Sequence, residues 1–245
     1  MTRLSVNLNK IALLRNSRGS DMPRLLDFAQ ICIDSGAHGL TIHPRPDQRH
    51  AKYSDVYDLV ALASDYPEVE VNIEGYPNEE FLSVVLEASP DQCTLVPDDP
   101  NQLTSDHGWD TVKHGGRLSG IIDQLQGQGI RSSIFLDPDT SMLESAAATG
   151  SDRIELYTES YAKNYGTEAE DDTWAQYNDV ALAAREIGLQ LNAGHDLNQD
   201  NLPRFLEIPG ILEVSIGHAL TVEALISGFE PTIAAYLAIV EARGQ

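Results

Sequence analysis

The stretch RLLDFAQICIDSGAHGLTIH, residues 24–43, contains one complete unit of the fold. Apolar residues recur at helical spacing from Arg24 to Ser35, and Gly36 follows at the point where the helix has to stop. Glycine is the usual residue there because it adopts the left-handed backbone conformation at little steric cost. The short run Gly39–His43 then indicates a buried strand. The stretch therefore predicts a helix that turns back into a strand of a parallel sheet.

Units of this kind recur along the whole chain. Eight runs are predicted as strands: Leu4–Asn7, Gly39–His43, Glu70–Glu74, Gln92–Val96, Arg131–Leu136, Arg153–Tyr157, Gln190–Ala193 and Glu213–Ile216. Helical patterns lie between them, among them Arg24–Ser35, Glu79–Ala88, Leu118–Gln128, Ser141–Thr149, Thr173–Ile187 and Leu220–Ser227. Eight strand–helix units in about 250 residues are typical of a TIM (β/α)8 barrel. We therefore predict a single α/β barrel domain over residues 1–245.

A doubly wound open sheet is the alternative arrangement for alternating strands and helices. The sequence has no G-x-G-x-x-G after a predicted strand, which weakens the dinucleotide-binding version of that fold. The barrel makes a definite prediction about function, because barrel active sites lie at the carboxyl ends of the strands. The strand interiors read as apolar or small, whereas polar side chains follow nearly every strand. We therefore expect the functional groups to converge on one rim.

The loop after the second predicted strand carries an unusual density of basic groups. It reads HPRPDQRH, residues 43–50, with two imidazoles and two guanidiniums. The two prolines fix φ and hold the neighbouring side chains at set positions. Arginine matches phosphate oxygens with two parallel hydrogen bonds, and histidine transfers protons near neutral pH. The loop therefore predicts an anion-binding site and not simply a solvated polar loop.

Candidate proton-transfer groups lie at three strand exits. Glu74 ends the third predicted strand, where partial burial would raise the pKa of its carboxyl group toward neutrality. A salt bridge to Arg45 is the competing interpretation and would lower that pKa. His43 and His195 are the candidates for the other proton transfers. A metal site is disfavoured, because these side chains have no H-x-H or H-E-x-x-H spacing.

Two glycine–histidine pairs follow the seventh and eighth predicted strands, namely Gly194-His195 and Gly217-His218. In barrels the corresponding loops frequently bind a phosphate through backbone N–H groups and a helix N-terminus. One such pair is a weak signal, and a structural role for both histidines is the alternative. Two pairs on these particular loops indicate a phosphorylated ligand.

Charge and composition exclude several classes of partner. The chain has 16 Lys and Arg against 38 Asp and Glu, a net charge of −22, although residues 1–50 hold 7 Lys and Arg against 4 Asp and Glu. Nucleic acid and anionic membranes require a positive surface, so we expect neither as a partner. No apolar run is long enough to span a bilayer, and residues 1–4 lead straight into a strand, so we expect a soluble cytoplasmic protein. Cys32 and Cys93 are expected to be buried structural thiols.

Several motifs, taken in order along the chain, resemble those of the pyridoxine 5′-phosphate synthase family. They are Asn7 through Arg18-Gly19, His43-x-Arg45-x-Asp47-x-Arg49-His50, Asn72-Ile73-Glu74, Leu95-Val96-Pro97 with Thr104, Asn192-Ala193-Gly194-His195 and Ile216-Gly217-His218. The resemblance implies a barrel enzyme that condenses 3-amino-2-oxopropyl phosphate with 1-deoxy-D-xylulose 5-phosphate, giving pyridoxine 5′-phosphate, phosphate and water. It implies no organic cofactor, and it implies a homo-oligomer, commonly an octamer.

The resemblance also implies roles for individual residues. It makes His43 and Glu74 proton acceptors and His195 a proton donor. Together with their sequence neighbours, the expected substrate-binding residues are Asn7, Asn9, Lys10, Arg18, Arg45, His50, Thr104, Asp196, Gly217 and His218. Phosphate contacts are expected from Gly194, Gly217, His218 and Arg18.

Two places depart from the family pattern. Well-known members carry Asp and His where this chain has Asn9 and Lys10, and they carry glycine where it has Asp196. We expect Lys10 to bind substrate as a cation and the Asp196 carboxylate to turn away and cap a following helix. Two alternatives remain. One is a catalytically impaired binder of pyridoxine phosphate; the other is a phosphate-handling barrel lyase or aldolase that uses Lys10 as a Schiff-base amine.

Overall fold

A computed structural model describes residues 1–98, 102 and 104–242. Its sheet is a closed barrel of eight parallel strands: β1 Arg3–Asn7, β2 Gly39–Ile42, β3 Glu70–Gly75, β4 Gln92–Leu95, β5 Arg131–Leu136, β6 Arg153–Tyr157, β7 Gln190–Gly194 and β8 Ile211–Ile216. Each strand pairs with the next, and β8 pairs with β1 to close the ring. The predicted TIM barrel is therefore confirmed, with every predicted strand within two residues of its observed ends.

Helices surround the barrel. They are α1 Asn9–Asn16, α2 Leu25–Asp34, α3 Tyr53–Ala63, α4 Glu79–Ala88, α5 Thr111–Gly127, α6 Leu143–Ala148, α7 Glu159–Asn164, α8 Glu170–Glu186, α9 Leu202–Phe205, α10 His218–Ser227 and α11 Phe229–Ala242, with a 3-10 turn at Thr140–Met142. The predicted glycine stop is confirmed at Gly36, with φ of 89°, and Gly150 and Gly188 follow two further helices with φ of 82° and 84°. No helix in the described part of the chain is long and apolar enough to cross a membrane.

The hydrophobic core lies between the sheet and the helices. Strand residues such as Leu40 and Ile42 are fully buried, as are Ala29 and Cys32 on α2. Both cysteines are buried and free, as predicted. Burial raises the pKa of the Cys32 thiol to about 12, so this side chain packs as a small apolar group.

The inside of the barrel is polar, so the prediction of apolar or small strand interiors was wrong. Gln92 on β4 donates a hydrogen bond to Glu213 on the opposite strand β8, over 3.1 Å. Arg153 on β6 donates to Gln92 and to Asn192, each over 3.2 Å. Buried polar groups are tolerated when they bond to one another, and this network supplies those bonds from several strands at once. It forms a polar floor under the site.

The first helix after β1 is fixed to the second unit of the barrel. Arg15 on α1 donates two hydrogen bonds to the Asp55 carboxylate on α3, over 2.6 and 2.9 Å, and both side chains are buried. The neighbouring Asn16 amide donates to the carbonyls of residues 48, 49 and 50. Paired forks of this kind give geometric specificity as well as energy. They hold the end of α1 beside the loop after β2.

Candidate active site

A cavity of about 480 Å³ opens at the carboxyl ends of the strands, where the barrel predicts an active site. Most of the residues singled out from the sequence line it: Asn7, Asn9, Lys10, His43, Arg45, His50, Glu74, Thr104, His195, Asp196, Gly217 and His218. These residues come from strands or loops spread around the barrel and meet only in the folded chain. The expected convergence on one rim is confirmed for this set.

Arg18 and Gly194 lie outside the cavity lining. Arg18 is exposed in the turn after α1. Gly194 is buried in β7, and a Cβ atom placed on it would lie 2.2 Å from Oε1 of Glu155. The glycine is therefore explained by the close approach of that carboxyl group and does not need a phosphate contact. The structure thus gives no direct support to phosphate binding by these two residues.

Glu74 lies at the base of the cavity without a cation beside it. Its carboxyl oxygens have only long hydrogen-bonding contacts: Asn7 at 3.4 Å, with Asn72 and Ser215 at 3.5 Å. Burial, together with the neighbouring carboxyl groups of Glu213 and Asp98, raises the pKa of Glu74 to about 8. Desolvation and like charges both disfavour the ionised form, so the carboxyl group holds its proton to unusually high pH.

His43 lies next to Glu74 at the start of the HPRPDQRH loop. Its Nδ1 atom is 3.9 Å from Oε2 of Glu74, and its Nε2 atom is 3.8 Å from Oδ2 of Asp98. Burial lowers the pKa of the imidazole well below its usual value, and Arg45 and the other basic groups of the loop add to the effect. His43 is therefore neutral at pH 7 and has a ring nitrogen free to accept a proton.

Glu155 is a site residue that the sequence analysis missed. It lines the cavity from the middle of β6 and is almost fully buried. Burial raises the pKa of its carboxyl group well above the usual value, with Glu74 and Glu213 raising it further. Three buried carboxyl groups thus face one another in the barrel, and at neutral pH the group as a whole retains protons. The sequence does not show that Glu155 points into the barrel, because this depends on the register of β6.

The guanidinium of Arg45 does not pair with Glu74, so the salt-bridge interpretation was wrong. Arg45 instead donates to Asp98 over 2.5 Å and to the Gln102 carbonyl over 3.0 Å. Arg49 donates to the same carbonyl over 2.7 Å. The two arginines of the loop after β2 thereby hold the segment that follows β4. Arg45 still lines the cavity.

The segment after β4 is anchored again further along. A Cβ on Gly108 would lie 2.2 Å from the Asp137 nitrogen, so the chain passes tightly over the end of β5. The indole N–H of Trp109 donates to the Leu95 carbonyl over 2.9 Å, and its backbone N–H donates to Phe135. Between the two anchors the segment carries Thr104 into the cavity.

His195 lies across the cavity from His43. Its Nε2 atom is 3.2 Å from Thr104 Oγ1, and its ring packs edge-on against Tyr157 with centroids 4.9 Å apart. His195 and Asp196 both have positive φ, 89° and 59°. Backbone of this kind favours glycine, and Asp is among the few other residues that tolerate it. This explains how Asp196 replaces the usual glycine.

The Asp196 carboxylate does not cap a helix, so that expectation was wrong. Its Oδ2 atom lies 3.1 Å from Nδ1 of His195 instead. The His195 side chain lowers the pKa of Asp196 through this contact. Nδ1 is buried and makes no hydrogen bond with any described residue, so the carboxylate acts on the imidazole through its charge.

The start of α1 forms another wall of the cavity. Asn7 accepts a hydrogen bond from the Asn9 backbone over 3.0 Å, and Asn9 accepts one from the His43 backbone over 2.8 Å. Lys10 is half-buried beside them and lines the cavity. A Cβ on Gly217 would lie 3.0 Å from Asn7, so glycine lets β1 and β8 end close together. Asn9 is therefore a structural link, and Lys10 is the cationic group it places at the rim.

The start of α10 lies beside this wall, because β8 pairs with β1. Gly217 precedes this helix and His218 is its first residue, as the glycine–histidine motif predicts. The helix N-terminus provides unpaired N–H groups that favour an anion. His50 also lines the cavity, and burial together with Arg49 and Lys10 lowers the pKa of its imidazole to about 4.

Among the described residues, no group of three or more His, Cys, Asp and Glu is arranged to hold a metal ion.

The fold and the cavity together define the class: a TIM barrel with one cavity at its strand ends, lined by histidines, buried carboxyl groups and basic side chains. Residues 4–242 match the family model described as the pyridoxal phosphate biosynthesis protein PdxJ. A pyridoxine 5′-phosphate synthase of Christiangramia forsetii is 50% identical over 242 residues, 98% of this chain and 100% of that protein. One from Bacteroides fragilis is 51% identical over 237 residues, 96% of this chain and 98% of that protein. The chain belongs to this family.

Solved structures with similar folds are distant in sequence. A 4-hydroxy-2-oxoglutarate aldolase aligns with a TM-score of 0.63 and 14% identity, covering 97% of this chain and 94% of that one. Phosphoribosylanthranilate isomerase of Thermotoga maritima aligns with a TM-score of 0.60 and 14% identity, covering 99% and 100%. At this identity the similarity concerns the barrel fold alone.

Proposed function

We propose that this protein is a pyridoxine 5′-phosphate synthase, condensing 3-amino-2-oxopropyl phosphate with 1-deoxy-D-xylulose 5-phosphate. The observation that carries the proposal is the division of the cavity: proton-holding carboxyl groups lie at its base, and basic groups lie at its rim. The family membership supports the choice of reaction. Ring closure from two phosphorylated substrates requires both halves of this arrangement.

In this proposal the rim binds the substrate phosphates. Lys10 supplies a mobile positive charge, and Arg45 supplies a guanidinium with a fixed direction. The N-terminus of α10, with Gly217 and His218, is the third anion-binding element. These elements lie around the cavity mouth, so two phosphates can be bound apart while the reacting carbons meet at the base. We retain Arg18 and Gly194 as predictions that the cavity lining does not support.

The proton transfers are assigned to the side chains at the base and on the far wall. The amine of one substrate attacks the ketone of the other, and water leaves as the imine forms. His43 is neutral and accepts a proton at a ring nitrogen. A carboxyl group with a pKa near 8 is a much stronger proton acceptor than an ordinary one once ionised, which suits Glu74 to proton abstraction from carbon. His195, whose Nδ1 atom lies 3.1 Å from the Asp196 carboxylate, donates a proton to a departing oxygen.

The substrate provides the reacting amine, so the proposal requires neither an organic cofactor nor a lysine Schiff base. Lys10 lies at the rim and next to the basic loop, which favours a binding role over the aldolase alternative. The presence of His43, Glu74 and His195 in one cavity argues against a mere binder of pyridoxine phosphate, since a binder needs no set of proton-transfer groups. The homo-octamer and the cytoplasmic location stay predictions.

The test is incubation of the purified protein with both substrates, following the absorbance of the product and the release of phosphate. Each substrate alone is the control. Product formed only with both substrates supports the proposal. Tight binding of pyridoxine phosphate without turnover would favour the impaired binder, and a borohydride-trapped adduct on Lys10 would favour the aldolase.

A further inference from the structure

Asp98 lies behind the cavity wall, between two side chains of the site. It is 2% exposed and follows β4, where the chain leaves the barrel. Its Oδ2 atom accepts hydrogen bonds from Arg45 over 2.5 Å and from Ser105 over 2.9 Å, and it lies 3.8 Å from Nε2 of His43. Asp98 itself does not line the cavity. Any effect it has on substrate must therefore pass through the side chains that it contacts or through its charge.

We propose that Asp98 is a positioning residue, whose carboxylate fixes the Arg45 guanidinium and the His43 imidazole in one mutual arrangement as substrate enters. The inference rests on the proposed roles of Arg45 and His43. One oxygen of this carboxylate, Oδ2, accepts the hydrogen bond from Arg45 and lies 3.8 Å from the His43 ring. A phosphate held by Arg45 and a proton accepted by His43 then keep a constant separation, which a condensation between two bound substrates requires.

A second observation separates Asp98 from an ordinary structural ion pair. Its other oxygen, Oδ1, is buried and has no hydrogen-bond partner among the described residues. A buried carboxylate kept only for stability would normally have both oxygens satisfied, because an unpaired one costs free energy. Hydrogen bonding within the described residues therefore does not account for this carboxylate, and the two site residues beside Oδ2, Arg45 and His43, indicate a use for it.

The charge of Asp98 also acts on Glu74. Groups that face Glu74 are Asn7 from β1, His43 and Arg45 after β2, Cys93 from β4, Asp98 after β4, Glu155 from β6, and Glu213 and Ser215 from β8. Asp98 raises the pKa of Glu74, and Arg45 lowers it. Replacing Asp98 by a neutral residue removes the first effect and leaves Arg45 without its counter-charge. Both changes lower the pKa of Glu74.

The test compares Asp98→Asn with Asp106→Asn, the same change at an exposed position in the same segment. After turnover by the parent protein has been established, we expect Asp98→Asn to lower kcat/KM by roughly 10- to 100-fold, the scale of a misplaced reacting group. The rise of kcat/KM with pH should move to lower pH, and Asp98→Glu should restore its position. Asp106→Asn should change neither.

Two results would overturn the inference while leaving the proposed function intact. One is an Asp98→Asn variant that matches Asp106→Asn within about twofold at every pH. The other is lost activity with an unmoved pH profile and a lowered melting temperature, which is a structural role alone. If Asp98→Asn does not fold, the double variant Asp98→Asn with Arg45→Met removes both partners of the buried pair and should fold. A double variant that also fails to fold contradicts the pairing on which the inference rests. A parent protein without turnover would refute the proposed function itself.

Discussion

The Nδ1 atom of His43 lies 3.9 Å from Oε2 of Glu74, with the two side chains only 8% and 12% exposed. Burial lowers the pKa of His43 and raises the pKa of Glu74. Both shifts favour the uncharged form, so the histidine is neutral and the carboxyl group is protonated. The pair therefore carries no net charge at pH 7, with the proton on the carboxyl group and a free acceptor nitrogen on the ring.

Glu74→Gln keeps the shape of this side chain and removes its titration. We expect turnover to fall by roughly 10²-fold or more, the usual scale for a positioned acid–base group. In the parent protein kcat/KM should rise with pH toward about 8, where Glu74 loses its proton, and the variant should lack that rise. Steady-state kinetics from pH 6 to 9 measure both effects, with the exposed Glu186→Gln as control. Unchanged turnover would remove Glu74 from the mechanism.

The same substitution should change stability in a pH-dependent way. The pKa of Glu74 is raised to about 8 in the folded chain, against its usual value of 4.5 in the unfolded chain. A raised carboxyl pKa means that the folded state binds the proton more tightly, so its contribution is fully present below pH 4.5 and is lost as pH rises through 8. Glutamine imitates the protonated form at every pH. The melting temperature of Glu74→Gln relative to the parent should therefore climb from pH 5 to pH 9, and a flat difference would contradict the raised pKa.

Arg45→Lys tests geometry at constant charge. The guanidinium contacts Asp98 and the Gln102 carbonyl at the same time, through two different nitrogens. An ammonium group is a point charge and cannot reproduce this fork. We expect KM for a phosphorylated substrate to rise about tenfold with a smaller change in kcat, while the exposed Arg24→Lys leaves both unchanged. Equal KM values for Arg45→Lys and the parent would mean that Arg45 contributes only a general positive field.

Lys10→Met tests the departure from the usual family residues. Lys10 lines the cavity but is not at its base, so we expect weaker substrate binding with turnover retained at saturation. Borohydride added with the ketone substrate alone should trap no covalent adduct, as mass spectrometry would show. Lys113→Met, on the exposed side of α5, is the matched control. Kinetics equal to those of the control would make Lys10 a bystander.

Gly194→Ala tests whether this glycine serves the Glu155 carboxyl group. An added Cβ would lie 2.2 Å from Oε1 of Glu155, so the carboxyl group has to move. We expect a large loss of activity and only a small loss of thermal stability, since the clash involves the end of one side chain. Circular dichroism and thermal unfolding give the stability, and product formation gives the activity. A fully active variant would show that the position of Glu155 is unimportant.

The barrel could be predicted because strands and helices repeat with clear boundaries. The predicted and observed ends of β5 and β6 agree to the residue, since the runs RSSIFL and RIELY there lie between a preceding glycine turn and a following polar residue. α5 begins at Thr111, seven residues before its predicted start, because Gly115 and Gly116 interrupt the apolar pattern while Asp110 caps the true end. The sequence gives little indication of α1, where polar residues such as Asn9 and Lys10 occupy the first turn.

The cavity could be predicted only where polar residues follow a strand. His43 and Glu74 stand at such exits and are placed correctly. Glu155 and Asp98 could not be identified, because one lies inside a strand and the other acts through partners 53 and 55 positions away in the chain. Which carboxylate pairs with Arg45 depends on how the loops after β2 and β4 are placed relative to each other. The spacing of residues along the chain does not determine that placement.

Trp109 provides a natural optical reporter for this site. Its indole is buried at the base of the segment that carries Thr104, and it stacks on Tyr76 with ring centroids 6.2 Å apart. The chain has one other tryptophan, Trp174 on α8, whose indole N–H bonds to the Arg204 carbonyl. A Trp174→Phe variant would emit from Trp109 alone. Substrate arrival could then be followed by fluorescence in rapid mixing, without a label and before any bond is made.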